Sequence, residues 1–476
     1  MSDLEFLSIF NDVLGPVMRG PSSSHTAGSY HIARTARDLL GEEPVFAVCT
    51  FDPDGSYAKT YSQQNADKAF AAGFLGWELT DGRFERALKS AAEQGLRLSF
   101  EISPLASSDH PNMVHILMRD RTGRELLCLA KSTGGGSFII SRVDNSSVAI
   151  DGKSDAAVRI KYGGRWRTLS SAPVFFIRRG KPIFRSAAGM TAFARRRRLS
   201  LGQAGLRYEA GLLGQSEKAA RDEMARRYDI MAGSVAKGLR DADVHMKILD
   251  PSAGRIMKFE KAGRLAAGGI HARAAARALA VMHVGNSGGV VCAAPTGGSA
   301  GVIPGVLVTL AETRRLSPRR IVSALFAAGA VGLIIAKRAT FAAEVAGCQV
   351  EIGAAGAMAA AAVVEAAGGN AAQAADAAAI ALQNTMGSVC DLVQGLCEIP
   401  CHTRNAAAAA AAFVCADLIL GGYRNPIPLD ETIDAVFSSG RMLPVELRCT
   451  ALGGLAATPS ARSLRPRPSS DERKRR

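Results

Sequence analysis

GAAGAMAAAAVVEAAGGNAAQAADAAAIAL, residues 353–382, decides the fold of the second half of this chain. Alanine has the highest helix propensity of any residue, and a run this rich in it favours helix over every alternative. The pair Gly368–Gly369 interrupts the run, so the stretch predicts two helices joined by a short turn. Side chains this small let helix backbones approach closely, which predicts tight packing between the two.

Working outward, residues 215–460 keep helical hydrophobic periodicity with Gly-rich turns between segments. The main break is GNSGGVVCAAPTGGSAGVIPG at 285–305, read as a long loop. Loops of this composition expose backbone N–H groups that suit anions such as carboxylates. The apolar run IVSALFAAGAVGLIIA at 321–336 is short for a membrane span and reads as a buried core helix. Residues 1–150 mix both periodicities. Ser22–Ser24 can cap a helix through HTAGSYHIARTARDLLG, while VFAVCTFD at 45–52 and MVHILMR at 113–119 alternate like strands. The segments on either side of Gly134–Gly136, within 126–143, read as a hairpin, as does VRIKYGGRWRTL at 158–169; SAPVFFIRR at 171–179 reads as a further strand.

The 476 residues carry a formal net charge of +15 and nine cysteines. Residues 158–198 hold twelve Lys or Arg and no Asp or Glu, and the tail from Ala461 holds seven basic and two acidic residues. Such blocks attract nucleic acid or anionic surfaces, but no aromatic–basic interleaving accompanies them, so a solvated linker and a disordered tail are expected, with nucleic acid a distant alternative. The opening MSDLEFLSIFND lacks the basic region of a secretory signal, and an odd number of cysteines suits a reducing cytoplasm.

The chemistry concentrates in GSVCDLVQGLCEIPCHTRN at 387–405 and AGCQVEIG at 346–353. Thiolates select zinc, copper(I) or iron–sulfur clusters. The spacing of Cys348, Cys390 and Cys401 matches neither zinc-finger nor ferredoxin patterns. It leaves the metal open, and core packing of the three thiols remains the other reading. Cys49, Cys128, Cys292 and Cys415 sit in apolar settings and read as core. GPSSSHTAG at 20–28 is a serine-rich loop entering a helix, suited either to gripping a carboxylate or to plain N-capping. His25 is its one group that exchanges protons near neutral pH. APTGGSAG at 294–301 and STGGG at 132–136 are weak signals alone, and neither follows a nucleotide-binding pattern.

Taken together, GCQVEIG, then VCDLVQGLCEIPC with Arg404 and Asn405 behind it, then ELRCTALGGLAATP at 446–459, resemble the α part of iron–sulfur-dependent bacterial L-serine dehydratase. GPVMRGPSSSHTAGS at 15–29, SYAKTY at 56–61, SDHPNMV at 108–114 and STGGG resemble its β part. The order, β then α, is that of the fused single-chain form. The resemblance implies an α+β N-terminal domain followed by a mostly all-α, Ala/Gly-rich catalytic domain. The domains expected are a β-like domain at 1–177, of which 151–177 is an extension, a basic linker at 178–214, an α-like cluster-binding domain at 215–460, and a disordered basic tail at 461–476. No room is seen for the regulatory ACT domain of two-chain members.

The resemblance also implies a [4Fe–4S] cluster on Cys348, Cys390 and Cys401 with one iron open as a Lewis acid, and no pyridoxal phosphate. The implied reaction is L-serine to pyruvate and ammonia, an ammonia-lyase of amino-acid catabolism and gluconeogenesis in the cytoplasm. His25 is the expected base, with a serine alkoxide (Ser23 or Ser24) or another histidine as alternatives. Ser22, Thr26, Thr133, Gly134, Asn286, Thr296, Ser299, Arg404 and Asn405 are the expected substrate contacts. A homodimer, without membrane association, is the expected assembly.

Several positions depart from the family pattern. His283 stands where a Glu is usual, Arg338 where an Asn is usual, and Gln64 lies in a segment that usually carries a His. Arg338 adds positive charge near the expected pocket, which suits a substrate with an extra carboxylate or equally marks a paralog that has lost activity. Cys397 replaces an aliphatic residue and Cys449 a Glu, and both are spare-ligand candidates. Some members plug the open iron with a terminal cysteine, which the ending ERKRR lacks. The alternatives to serine deamination are a related lyase on threonine or cysteine and a non-catalytic amino-acid-binding paralog.

Overall fold

The computed structural model describes residues 7–105, 109–162 and 165–467. They form two compact units: 22–178, and 179–467 together with 7–21.

In the first unit, a six-stranded mixed sheet runs in the order Arg97–Ile102, Pro44–Phe51, Met113–Asp120, Glu125–Gly134, Ser137–Val143, Ser146–Ile150. Only Pro44–Phe51 and Arg97–Ile102 pair in parallel; the other pairs are antiparallel. The alternating segments read from the sequence are strands, and the predicted hairpin turns at Gly134–Gly136. The helix Gly28–Leu40 packs on this sheet and on the helix Ala66–Phe74. Phe51, Tyr57, Phe70 and Phe100 stack between strand and helix with ring centroids 5.0–6.3 Å apart. Ala156–Tyr162 and Arg165–Ser171 form the second predicted hairpin. The strand expected at 171–179 is absent beyond Ser171. Pro173 removes a ladder donor there, and the N–H groups of Val174 and Phe175 both turn to the Gly152 carbonyl.

The second unit is built on helices. Ile352–Ala367 and Ala371–Gln383 are the two read from the Ala-rich run, the second started by an Asn370–Gln373 capping box. Pro318–Arg338, Cys348–Ala367 and Cys401–Leu420 are long and apolar enough to cross a membrane by length and composition. Most of the first two is buried inside this unit, as expected of core helices that are apolar all round. The predicted loop after Gly269–Asn286 is shorter than 285–305: it contains the strand Val290–Cys292 and ends where the helix Val302–Thr313 begins.

Three expectations are corrected here. Residues 7–21 belong to the helical unit, not to the α+β domain. Val17–Arg19 pairs antiparallel with Val290–Cys292, while Ile9 and Val13 fill notches left by Gly329 and Gly332. A Cβ on Gly329 would lie 2.5 Å from Ile9 Cγ2, and one on Gly332 2.1 Å from Val13 Cγ1. The 178–214 linker contains two helices, Ala187–Arg197 and Leu201–Leu213. Arg195–Arg198 are exposed at the end of the first, where cations suit the helix dipole, while Leu201, Ala204, Gly205, Tyr208 and Leu212 are buried along one stripe of the second. Finally, residues 461–467 of the expected disordered tail are placed: Ala461 is buried in the short helix Pro459–Ser463, and Arg467 pairs with Asp250 at 2.7 Å. The remainder of that tail, 468–476, lies outside the described residues.

Candidate active site

In the helical unit, three chain segments bring sulfur together. Cys348 opens the turn that leads into Ile352–Ala367, Cys401 is the first residue of Cys401–Leu420, and Cys390 lies in the loop before it. Gln349 staples two of these segments: its side-chain Oε1 accepts from Gly387 N at 2.9 Å, and its backbone N–H donates to the Ser388 carbonyl at 3.3 Å. Cys348 Sγ, Cys390 Sγ and a Glu351 carboxylate oxygen lie within 4.8 Å of one another. Cys390 also hydrogen-bonds the Cys449 thiol, and Cys397 bonds Cys401. All five thiols, the three expected ligands and the two spare candidates, are buried.

This donor set fits a thiophilic metal group. Thiol–thiol hydrogen bonding and burial hold Cys390 well above the ordinary thiol range. The Cys390 bond pulls Cys449 down, but burial and two nearby carboxylates leave it at about 11. Without a metal these groups are neutral thiols, and a metal that takes them as thiolates must displace their protons. Soft sulfur ligands select iron–sulfur clusters, zinc or copper(I). Cys348, Cys390 and Glu351 are the residues placed to hold such a group.

Hydrogen-bonded side chains brace the centre. Ser299 Oγ lies 2.9 Å from Thr296 Oγ1, which donates to Glu351 Oε1 at 2.5 Å. Burial pushes the Glu351 carboxyl up to about 7, despite the Thr296 bond. Asn405 is fully used as a bracket: it accepts from Gly301 N and donates to the Gly298 and Cys401 carbonyls. Arg404 spans Val389 O at 2.7 Å, Cys348 Sγ at 3.6 Å and Asp391 at 3.0 Å. Asn286 donates to the Cys397 carbonyl and to His402 Nε2, each at 3.0 Å. His402 stacks near His283 with ring centroids 5.3 Å apart. Burial lowers both imidazoles, His283 to about 4, so both are neutral. Arg338 does not add free charge to this region: it pairs with Asp434 and, at 3.7 Å, with Asp430. Paired in this way, Arg338 offers no free cation to an extra substrate carboxylate.

In the α/β unit, Ser22 accepts from His25 N at 3.1 Å and caps the wide turn Ser23–Ala27 that opens into Gly28–Leu40. His25 is fully buried, edge-on to Tyr57 at 5.1 Å. Its Nε2 lies 3.1 Å from Thr60 Oγ1 and 3.3 Å from Ser56 Oγ. Thr60 Oγ1 donates to the Ser56 carbonyl at 2.9 Å, and the His25 ring bonds the Ser56 backbone as well, an arrangement that favours the proton on Nε2. Nδ1 is then the bare, basic atom, 3.5 Å from Ser22 Oγ. Burial lowers the imidazole to about 3, outweighing a bond to the Ser56 backbone, so it is a neutral base throughout the physiological range. Ser132 Oγ donates to the Ser24 carbonyl at 2.8 Å, and Thr26 Oγ1 to the Gln64 carbonyl at 2.8 Å. Ser23 is buried in the same turn; Thr133 is half-buried and Gly134, at φ +99°, ends the strand.

Sequence reasoning missed Glu351, Ser56, Thr60 and Ser132. The signal was present for three of them. Glu351 follows Cys348 by one helical turn, and Ser56 and Thr60 stand at i and i+4 of SYAKTY, where a helix puts both hydroxyls on one face.

A family model described as Serine dehydratase alpha chain matches residues 149–456. The L-serine dehydratase alpha chain of Peptoniphilus asaccharolyticus is 38% identical over 251 residues, 52% of this chain and 86% of that one. The Bacillus subtilis protein named "Probable L-serine dehydratase, beta chain" is 34% identical over 167 residues, 35% of this chain and 73% of that one. L-serine dehydratase of Streptomyces coelicolor spans both parts, 29% identical over 469 residues that cover 92% of this chain and 96% of that one.

Proposed function

The chain belongs to the serine dehydratase alpha chain family, and we propose that it is an L-serine ammonia-lyase that converts L-serine to pyruvate and ammonia in the cytoplasm. The observation that carries the reading is the meeting of Cys348, Cys390 and Glu351 within one buried centre, inside the segment the family model matches. We further propose that Cys348, Cys390 and Cys401 hold a [4Fe–4S] cluster. Bound there, the cluster supplies an electrophilic iron that makes the β-hydroxyl a better leaving group.

The chain's own residues have the remaining work. His25 takes the Cα proton at Nδ1; the β-hydroxyl leaves as water. The resulting aminoacrylate tautomerises to an imine, which water hydrolyses to pyruvate and ammonia. The Thr60 and Ser56 network keeps the proton of resting His25 on Nε2 and so keeps Nδ1 basic. Ser22 polarises that nitrogen, and the Ser22–Thr26 turn offers hydroxyls and N–H groups to the substrate carboxylate. Thr133 and Gly134, at the strand end, are proposed to line the same side. In the helical unit, Thr296 and Ser299 orient Glu351, and Arg404 with Asn405 and Asn286 fixes the loop that carries the cysteines. These are positioning roles, because each side chain is already committed to protein partners.

The test is anaerobic purification, iron and sulfide analysis, and pyruvate release from L-serine in the same sample. About four irons per chain with pyruvate formed supports the proposal. A chain that stays iron-free after reconstitution, or a loaded chain that releases pyruvate from neither L-serine nor L-threonine, overturns it.

A further inference from the structure

The fold holds Cys449 beside Cys390 by its backbone. Cys449 N donates to the Cys390 carbonyl at 2.9 Å, and Cys390 N donates to the Leu447 carbonyl at 2.8 Å. These bonds flank a parallel bridge between Cys390 and Arg448. Thr450 Oγ1 ties the turn further, reaching the Val445 and Glu446 carbonyls at 3.1 Å. Cys449 itself has φ +63°, a left-handed conformation that costs a side chain about 1 kcal/mol or more and that local sequence does not favour. The residue is 5% exposed, its thiol bonds that of Cys390, and its charged neighbours are Glu344 and Glu351. A cysteine serving as core filler sits among apolar side chains, as Cys49 does on the strand Pro44–Phe51. Cys449 instead faces sulfur and carboxylate.

We propose that Cys449 is a fourth sulfur ligand of this centre, so that the resting metal group is held by Cys348, Cys390, Cys401 and Cys449. This rests on the cluster reading above and adds to it a claim about the fourth iron: an internal thiolate holds it until substrate arrives. Forming the bond releases the Cys449 proton to solvent, with no change of oxidation state. The substrate hydroxyl or carboxylate must then exchange with a thiolate, which raises the KM for L-serine.

The experiment uses the full chain, reconstituted anaerobically with iron and sulfide, as wild type, Cys449→Ser and the control Cys415→Ser. Each is treated with ferricyanide and a chelator, and released iron and the EPR signal of a three-iron cluster are followed. The expected result is a wild type and control that keep their iron, and a Cys449→Ser variant that loses one iron per cluster, gains the three-iron signal and has a lower KM for L-serine. Equal iron loss in wild type and Cys449→Ser overturns the proposal. So does ready conversion of wild type alone, which decides the matter even if the variant fails to fold. An iron-free wild type overturns the cluster reading and this inference with it; a wild type that binds four irons and loses one readily overturns this inference only.

Discussion

His25 shows how burial keeps an imidazole unprotonated while weakening it as a base. Water would hold its pKa near 6.5; burial moves it to about 3, and the hydroxyls of Thr60 and Ser56 choose which nitrogen is bare. His25→Asn keeps a donor and the side-chain volume but removes the basic atom. Its kcat is expected to fall about 10²–10⁴-fold with iron content unchanged. The wild-type profile of kcat/KM should show no inflection near 6.5 from this residue; an acid limb centred there that disappears in the variant would count against the tautomer argument. Arg404 makes a different prediction at this scale. Its guanidinium spans a carbonyl and the Asp391 carboxylate, which one ammonium cannot do. Arg404→Lys should cost about 1–3 kcal/mol, read from urea unfolding of the metal-free chain. How far residues were legible follows from the same geometry. His25 and the cysteines stood in short motifs. The meeting of Cys390 and Cys449 depends on a backbone clip between segments far apart in sequence, which no local pattern announces.

At the scale of elements, small residues decide what packs. Gly332 on the helix Pro318–Arg338 leaves the space Val13 fills. Gly332→Ala should destabilise by about 1–3 kcal/mol through overpacking. Adding Val13→Ala should recover part of that loss, because the two side chains contest one space; strictly additive effects in a double-mutant cycle would show that they do not. The Ala-rich helices were legible because propensity and the Gly368–Gly369 break agree. The helix Leu201–Leu213 was also written in the sequence, in a Ser200–Gln203 capping box and an apolar stripe from Leu201 to Leu212. The run Arg195–Arg198 before it drew the reading toward a solvated linker, although those side chains occupy only an exposed helix end. The notch that receives Val13 was not legible, since nothing near Val13 names a glycine three hundred residues away.

For the whole molecule, burial of titratable groups sets the response to acid. His25 is lowered to about 3, and His31, His110 and His283 to about 4, in each case chiefly by burial. Unfolded histidines titrate near 6.5, so between that pH and about 4 the unfolded chain binds more protons than the folded one. The stability these four contribute is complete above 6.5 and is lost as pH falls toward 3–4. Glu209 and Glu351, raised to about 7 by burial, act in the opposite sense: their contribution is present below the unfolded value of 4.5 and fades as pH rises through 7. The histidines are more numerous and shifted further, so acid should win. The urea midpoint of the metal-free chain is expected to fall from pH 7 to pH 5; a constant or rising midpoint would refute this balance.

The chain enters the helical unit at residues 7–21, leaves it to build the α/β unit, and returns at 179. One unit is thus inserted within the other, and two covalent tethers join them. A single nick near residue 178 would not yield independent halves: the N-terminal fragment would carry away Ile9, Val13 and the strand partner of Val290–Cys292. The fragment beginning at 179 would be left with open notches and an unpaired edge. Split-protein complementation should therefore work at this point only when the leading segment is supplied in trans, and a circular permutant that carries residues 7–21 after the helical unit should free the α/β unit as a cassette.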